Sequence, residues 1–337
     1  MFKRIIFLLL TAYCLLPAAF AQTTFRLSYD VASFDIAGGM VQSPAGDYVI
    51  AGTNATFIPL YGNAIKIDAN ANFQWAKSFV GGVATDFSDI KNVSTGGFIL
   101  CGSSSSGGAI LVKIDNSGNT VWSFRYQCPN IPSGNNSEES AYAVTETSDG
   151  GFLVGGSVSY FWDGSSGTTV DTSSALGFKV NSAGTLQWSR VWTIATTNPD
   201  EHYINDVAES ADGYFFVGES SEGSGTLSDD GDYPRNALLI KTSTTGTTSY
   251  LRRWGTGNSS SQGINCALRL TGGANSGKIL LGGYDNSDAF LITVEGTGSS
   301  PIMGAFNRKI NGSGFPPSTF VIQDIMETPD GHYAAIG

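Results

Sequence analysis

Residues 150–157 read GGFLVGGS, an apolar run that opens after a glycine turn and closes on another glycine. The same pattern returns at 46–53 (GDYVIAGT), 96–103 (GGFILCGS), 213–220 (GYFFVGES), 277–284 (GKILLGGY) and 331–337 (GHYAAIG). The closing glycines are Gly52, Gly102, Gly156, Gly218, Gly283 and Gly337, so the steps between units are 50, 54, 62, 65 and 54 residues. That spacing is in the range of propeller blades.

Each unit divides into four short strands. A strand such as Ala141–Thr147 precedes the turn, the apolar run is the second strand, and a third follows at Ala64–Asp68, Ile110–Asp115, Leu176–Asn181, Ala237–Thr242 and Ala289–Glu295. A fourth comes after a Gly/Asn turn and carries Trp75, Trp122, Trp188 or, in the fourth unit, Tyr250. Four sequential antiparallel strands make one blade. Turns such as Ser148-Asp149-Gly150-Gly151 and Asp115-Asn116-Ser117-Gly118 supply side-chain-to-backbone bonding and positive φ where a tight hairpin needs them. No helix pattern follows them, so they are hairpin turns and not phosphate cradles.

Composition agrees. Of 337 residues, 43 are Gly and only 14% are charged, which disfavours helix, while 12% aromatic content supplies enough apolar surface for a core. The expected fold is all-β, a propeller with five complete four-stranded blades and a partial sixth, from a full-length protein of six or seven blades.

The segments 113–122 KIDNSGNTVW and 179–188 KVNSAGTLQW resemble the tryptophan-docking motif of quinoprotein-type propellers, with a turn one residue shorter. The whole repeat is similar to bacterial secreted propeller repeats, quinoprotein-like or delta-60-like, of the pattern D-G-G-[YF]-[apolar]-x-x-G followed by K-[apolar]-[DN]-x-x-G-x-x-x-W. The resemblance covers residues 25–337 and implies the fold. It implies no activity, because such propellers occur in dehydrogenases, adhesins and scaffolds, and no quinone-binding residue of the enzymes has a match here. It also suggests a Gram-negative source and export of the type IX kind.

Lys3 and Arg4, the apolar run Ile5–Leu16 and Ala19-Phe20-Ala21 read as a signal peptide, residues 1–21, which leaves 22–337 as the propeller domain of a secreted protein. No later stretch is long and apolar enough to span a bilayer, so membrane insertion is not expected. The chain carries 18 basic and 29 acidic residues, net −11, and cleavage removes two basic ones. Such a surface repels nucleic acid and favours cations or basic groups. Cys101, Cys128 and Cys266 remain, with no metal-ligand spacing; Cys101 and Cys266 lie in strand patterns, whereas Cys128 lies in a loop. Residues 25–29 (FRLSY) read as a lone fourth strand able to complete the last blade, and the stop at Gly337 after a second strand reads as a truncated C-terminus.

Residues that recur from unit to unit read as scaffold, among them Trp75, Trp122 and Trp188 and Lys66, Lys113, Lys179 and Lys241. Gln42, Asn92, Glu146, Glu209 and Glu327 take matching places on first strands, either as a ligand-binding polar ring or as bonds between blades. Function is expected on the irregular loop face, at Gln127–Ser140, Val158–Ser174, Thr193–Tyr203, Ser220–Asn236 and Ser259–Gly263. Single-copy candidates there are Tyr160, Trp162 and Asp163, suited to a sugar ring or a protein, and the surface cluster Asp200, Glu201 and His202. Asp229, Asp230 and Asp232 offer oxygens for calcium, although their spacing misses the ordered loop pattern.

No G-x-S-x-G, H-E-x-x-H or paired-Cys motif is present. The expected function is a monomeric binding or scaffold module for a glycan or cell-surface protein, without a catalytic site. The alternatives are a carbohydrate-active hydrolase or lyase using carboxylates near the channel mouth, and a structural segment of a larger adhesin.

Overall fold

The computed structural model describes residues 35–54, 61–79, 85–104, 106–127, 137–163, 169–192, 201–221, 235–254, 261–286, 288–298, 303–310, 321–328 and 330–337. They form successive antiparallel sheets in which each strand pairs with the next. The first sheet holds β1 (Asp35–Gln42), β2 (Tyr48–Asn54), β3 (Tyr61–Ile67) and β4 (Phe73–Phe79). The second holds β5 (Thr85–Asn92), β6 (Phe98–Ser104), β7 (Ala109–Ile114) and β8 (Thr120–Tyr126). The third holds β9 (Ser137–Glu146), β10 (Phe152–Asp163), β11 (Thr169–Val180) and β12 (Leu186–Trp192). A single residue pair, Ser103 with Ser140, joins the second and third. The fourth runs through β13 (His202–Ser210), β14 (Gly213–Ser221), β15 (Arg235–Ser243) and β16 (Thr248–Trp254), and the fifth through β17 (Gln262–Arg269), β18 (Ile279–Asp285), β19 (Asp288–Val294) and β20 (Met303–Ile310). The hairpin β21 (Asp324–Glu327) and β22 (Tyr333–Ile336) follows. Among the described residues the one helical segment is the 3-10 turn Gly273–Asn275.

Second strands are apolar throughout because both faces of a sheet are covered. Phe215 and Val217 pack toward Ile279 and Leu281 of the fifth sheet, whereas Phe216 packs back onto Leu153 and Ala175 of the third. Similar layers join the first sheet to the second and the second to the third.

The fourth strands lock neighbouring sheets. Trp75, Trp122 and Trp188 each donate the indole N–H to a carbonyl of the next sheet's last turn, at Asn116, Ser182 and Thr244 (3.3, 3.2 and 3.0 Å). In the last turns of the first three sheets Asp68, Asp115 and Asn181 accept two backbone N–H bonds each, which is the side-chain-to-backbone bonding expected of such turns. The recurring lysines are scaffold as well. Lys66, Lys179 and Lys241 pair with Asp47, Asp149 and Asp212 of the first turn of their own sheets, at 2.8, 3.0 and 2.7 Å. Lys113, whose turn offers no acid, sits 5.7 Å over the Phe152 ring.

The closing glycines have one geometric cause. Each first strand from β1 to β17 slips register by one residue, and the slip lies opposite the glycine: Ala37 pairs with Gly52, Phe87 with Gly102, Ala141 with Gly156, Ile204 with Gly218 and Ile264 with Gly283. The bulge pushes a backbone carbonyl into the space that a Cβ would fill, from Ile36, Asp86, Ser140, Tyr203 and Gly263 respectively.

Candidate functional site

The bulge that requires the glycine also builds a cavity. The skipped residues Gly38, Ser88, Tyr142, Asn205 and Asn265, with Gln323 of the last unit, meet around an axial cavity of about 780 Å³. A bulge turns its extra residue out of the ladder, here toward the axis shared by the first strands.

The next residue in each unit alternates in chemistry. It is Gly39, Ala143 and Cys266 in odd units and Asp89, Asp206 and Asp324 in even ones, so three carboxylates line the cavity. Each accepts its own strand's following N–H at 2.8 Å, from Ile90, Val207 and Ile325. Asp89 and Asp206 also reach the next sheet, accepting Val144 N–H at 3.1 Å and Ala267 N–H at 2.8 Å. The amides of Asn205 and Asn265 make the parallel link, donating to the Ile264 and Ile322 carbonyls at 3.1 and 2.9 Å. Lys91 stands among the acids, 3.0 Å from Asp89.

Toward the loop end, Glu219 accepts from Arg235 at 2.7 Å and from Asn205 at 3.3 Å, beside Tyr284. The Tyr142 hydroxyl meets Ser157 at 3.0 Å. Burial drives the carboxyls of Asp89 and Asp206 upward against the pull of Lys91, and Asp206 reaches about 7.

This shift has a sign. Asp206 in the folded chain holds a proton that the unfolded chain, at 3.8, has already lost. Its contribution to stability is therefore whole below pH 4 and drains away as pH rises to about 7, on the order of 2–4 kcal/mol. The urea midpoint is expected to fall from pH 5 to pH 8, and to fall less in Asp206→Asn. Equal slopes in the two proteins would contradict the assignment.

The residues singled out from sequence fall elsewhere. Tyr160, Trp162 and Asp163 lie on β10, paired with Thr172, Val170 and Thr169 of β11, so the hairpin runs on through a stretch expected to be loop. His202 is a correction: it is 1% exposed, not at the surface, because β13 begins there in register with Ser220. Glu201 bridges to Ser173 of the third sheet. Asp200, the possible calcium ligands Asp229, Asp230 and Asp232, Cys128 and residues 25–29 lie outside the described residues. No group of three metal-ligating side chains occurs among the described residues. Cys101 and Cys266 are free and buried, as their strand patterns indicate, and burial raises both thiols.

The polar ring of first strands resolves into bonds between sheets. Glu146 accepts Ser94 N–H and Oγ–H at 2.6 and 2.8 Å, and Glu209 accepts the same pair from Ser148 at 2.8 Å each. Glu327 takes Thr271 Oγ–H at 2.6 Å, and Asn92 donates to the Gln42 carbonyl at 2.8 Å. The cavity residues were the ones missed. Counting back thirteen residues from the closing glycines Gly52, Gly102, Gly156 and Gly337 lands on Gly39, Asp89, Ala143 and Asp324, a signal present in the repeat.

No protein-family model matches the chain, and no curated protein matches it. Similar solved structures include a Penicillium chrysogenum α-L-arabinanase complexed with arabinobiose, 13% identical over 88% of this chain and 86% of that one, with a TM-score of 0.53. The GH93 α-L-arabinofuranosidase of Fusarium graminearum with arabinobiose is 11% identical over 87% and 84%, with a TM-score of 0.51. A Lactobacillus plantarum protein is 12% identical over 88% and 75%, also with a TM-score of 0.51. At these identities the likeness is one of fold, and the fold is a β-propeller.

Proposed function

We propose that the chain is an exported β-propeller, monomeric, with leader 1–21 removed from the 22–337 domain, that binds a glycan at the loop end of its axial cavity. Five blades, β1–β4 through β17–β20, and a sixth opened by β21–β22 surround that cavity. The exposed apolar residues Ile36 and Met40 on β1, and Met326 and Ile336 on the last hairpin, fit faces on either side of the sixth blade's place.

One observation carries the binding reading. The bulged Tyr142, Asn205 and Asn265, together with Tyr284, Glu219 and Lys91 from regular strand positions, bring amides, phenols and charged groups to a single cavity whose size falls within the range of small-ligand sites. Paired donors and acceptors beside tyrosine rings suit a hydroxyl-rich ligand. Two propeller neighbours were solved with arabinobiose, which adds support for a short saccharide as the ligand class. Hydrolysis is the weaker reading, because both oxygens of Asp89 and of Asp206 accept backbone or lysine N–H bonds and serve as staples between sheets.

Calorimetric titration of the mature protein with neutral oligosaccharides, arabino-oligosaccharides among them, tests the proposal. Tyr284→Ala and Glu219→Gln are expected to weaken binding by about tenfold or more, with melting temperature as the check on folding. Unchanged affinity in both well-folded variants, or no saccharide binding at all, would reject it.

A further inference from the structure

A second cavity, of about 450 Å³, lies between the third and fourth sheets at the turn-bearing end of the molecule. The same repeat positions between other sheets carry different residues. Trp75 is followed across its cleft by Phe98 and Trp122 by Phe152, whereas Trp188 faces Tyr214, ring centroids 6.0 Å apart. The acids differ too. Between the first two sheets Ala45 and Asn92 stand at these two positions, between the second and third Thr95 and Glu146, and here Asp149 and Glu209.

Charge bookkeeping leaves one carboxylate over. Lys179, 1% exposed, sits 3.0 Å from both oxygens of Asp149 and neutralises it. Glu209 is held by the Ser148 N–H and hydroxyl alone, with no cation beside it among the described residues. Tyr214 adds a polar atom to the same wall. It is 3% exposed and lines the cavity, and its hydroxyl has no hydrogen-bond partner among the described residues. Burial, then the charges of Asp149 and Glu209, push that phenol up to about 12, so it stays neutral and able to accept.

We propose that this cleft binds the cationic side chain of a basic peptide, arginine ahead of lysine. The unneutralised Glu209 and the Tyr214 oxygen accept N–H donors, and the aromatic wall of Trp188 and Tyr214 attracts a cation. A planar guanidinium can lie on a ring and donate in its plane at once, which an ammonium cannot. The chain's net charge of −11 draws a basic partner and repels an anionic one.

The test is calorimetry of the mature protein with the peptide acetyl-Gly-Arg-Gly-amide and its uncharged citrulline counterpart. The arginine peptide is expected to bind at least about tenfold more tightly and to be displaced by excess methylguanidinium. Glu209→Gln should weaken it about tenfold, and Tyr214→Phe, which installs the residue of the second and third units, about threefold. Tyr284→Ala in the axial cavity should leave peptide binding unchanged, so the two sites fail or stand separately. Equal binding of arginine and citrulline peptides, no binding below ~10 mM, or full affinity in Glu209→Gln and Tyr214→Phe together would overturn the proposal.

Discussion

Gly218→Ala is expected to cost about 3–5 kcal/mol, enough to leave most of the chain unfolded or insoluble at 37 °C. The added methyl would overlap the Tyr203 carbonyl oxygen, and the carbonyl cannot retreat. β14 is paired on one side with β13 and on the other with β15, and every residue from Gly213 to Ser221 is buried. Relief would require the β13 bulge to straighten, which shifts the register and reverses the faces of every later side chain on that strand. Gly150→Ala is the control. That glycine has φ +75° and open space around it, so alanine there meets only backbone strain, about 1 kcal/mol. Urea midpoints of the two variants compare them directly. If Gly218→Ala cost no more than Gly150→Ala, the bulge would not be the reason for the repeated glycine.

The same contact explains what could be read from the chain and what could not. A glycine facing a backbone carbonyl admits no substitute, so it recurs in all six units and reveals the blade period. Trp75, Trp122 and Trp188 recur for a similar reason, since each fills one pocket on the next sheet's turn. The bulged residue meets no such constraint. It faces an open cavity, and Gly38, Ser88, Tyr142, Asn205, Asn265 and Gln323 share a position without sharing a side chain. Treating recurrence as scaffold and singularity as loop therefore passes over the cavity, whose residues are singular and lie on strands. Of the two readings of the polar ring, bonds between blades is the one the structure shows: Glu146 and Glu209 sit at the turn end, where they cap the preceding sheet. His202 reads as superficial beside two acids because no local pattern announces that β13 begins there, buried and in register with Ser220 of β14.

Asp212→Ala is expected to remove about 3 kcal/mol, although Asp212 itself is 43% exposed. The cost falls on its partner. Lys241 is 1% exposed, with its ammonium 2.7 Å from Asp212 and 2.9 Å from the Gly298 carbonyl, over the Phe215 ring at 5.4 Å. Without the carboxylate, that ammonium keeps one carbonyl and one ring in place of an ion pair, and a buried charge so exposed to desolvation is expensive. Asp212 also accepts the Gly298 N–H at 2.9 Å, so the fourth sheet loses a tie to the fifth. Lys241→Met in the same background should recover most of the loss, because the charge is then gone and its apolar stem remains. The pH dependence supplies an independent reading. Burial raises the Asp212 carboxyl, but the Lys241 and Gly298 bonds outweigh it and hold the pKa below 3.8. A depressed pKa contributes stability that is present above about pH 4 and lost as pH falls further, opposite in sign to Asp206. Wild type should therefore lose stability more steeply than Asp212→Ala between pH 5 and pH 2. Parallel acid limbs, or no recovery in the double variant, would show that Lys241 does not depend on this carboxylate.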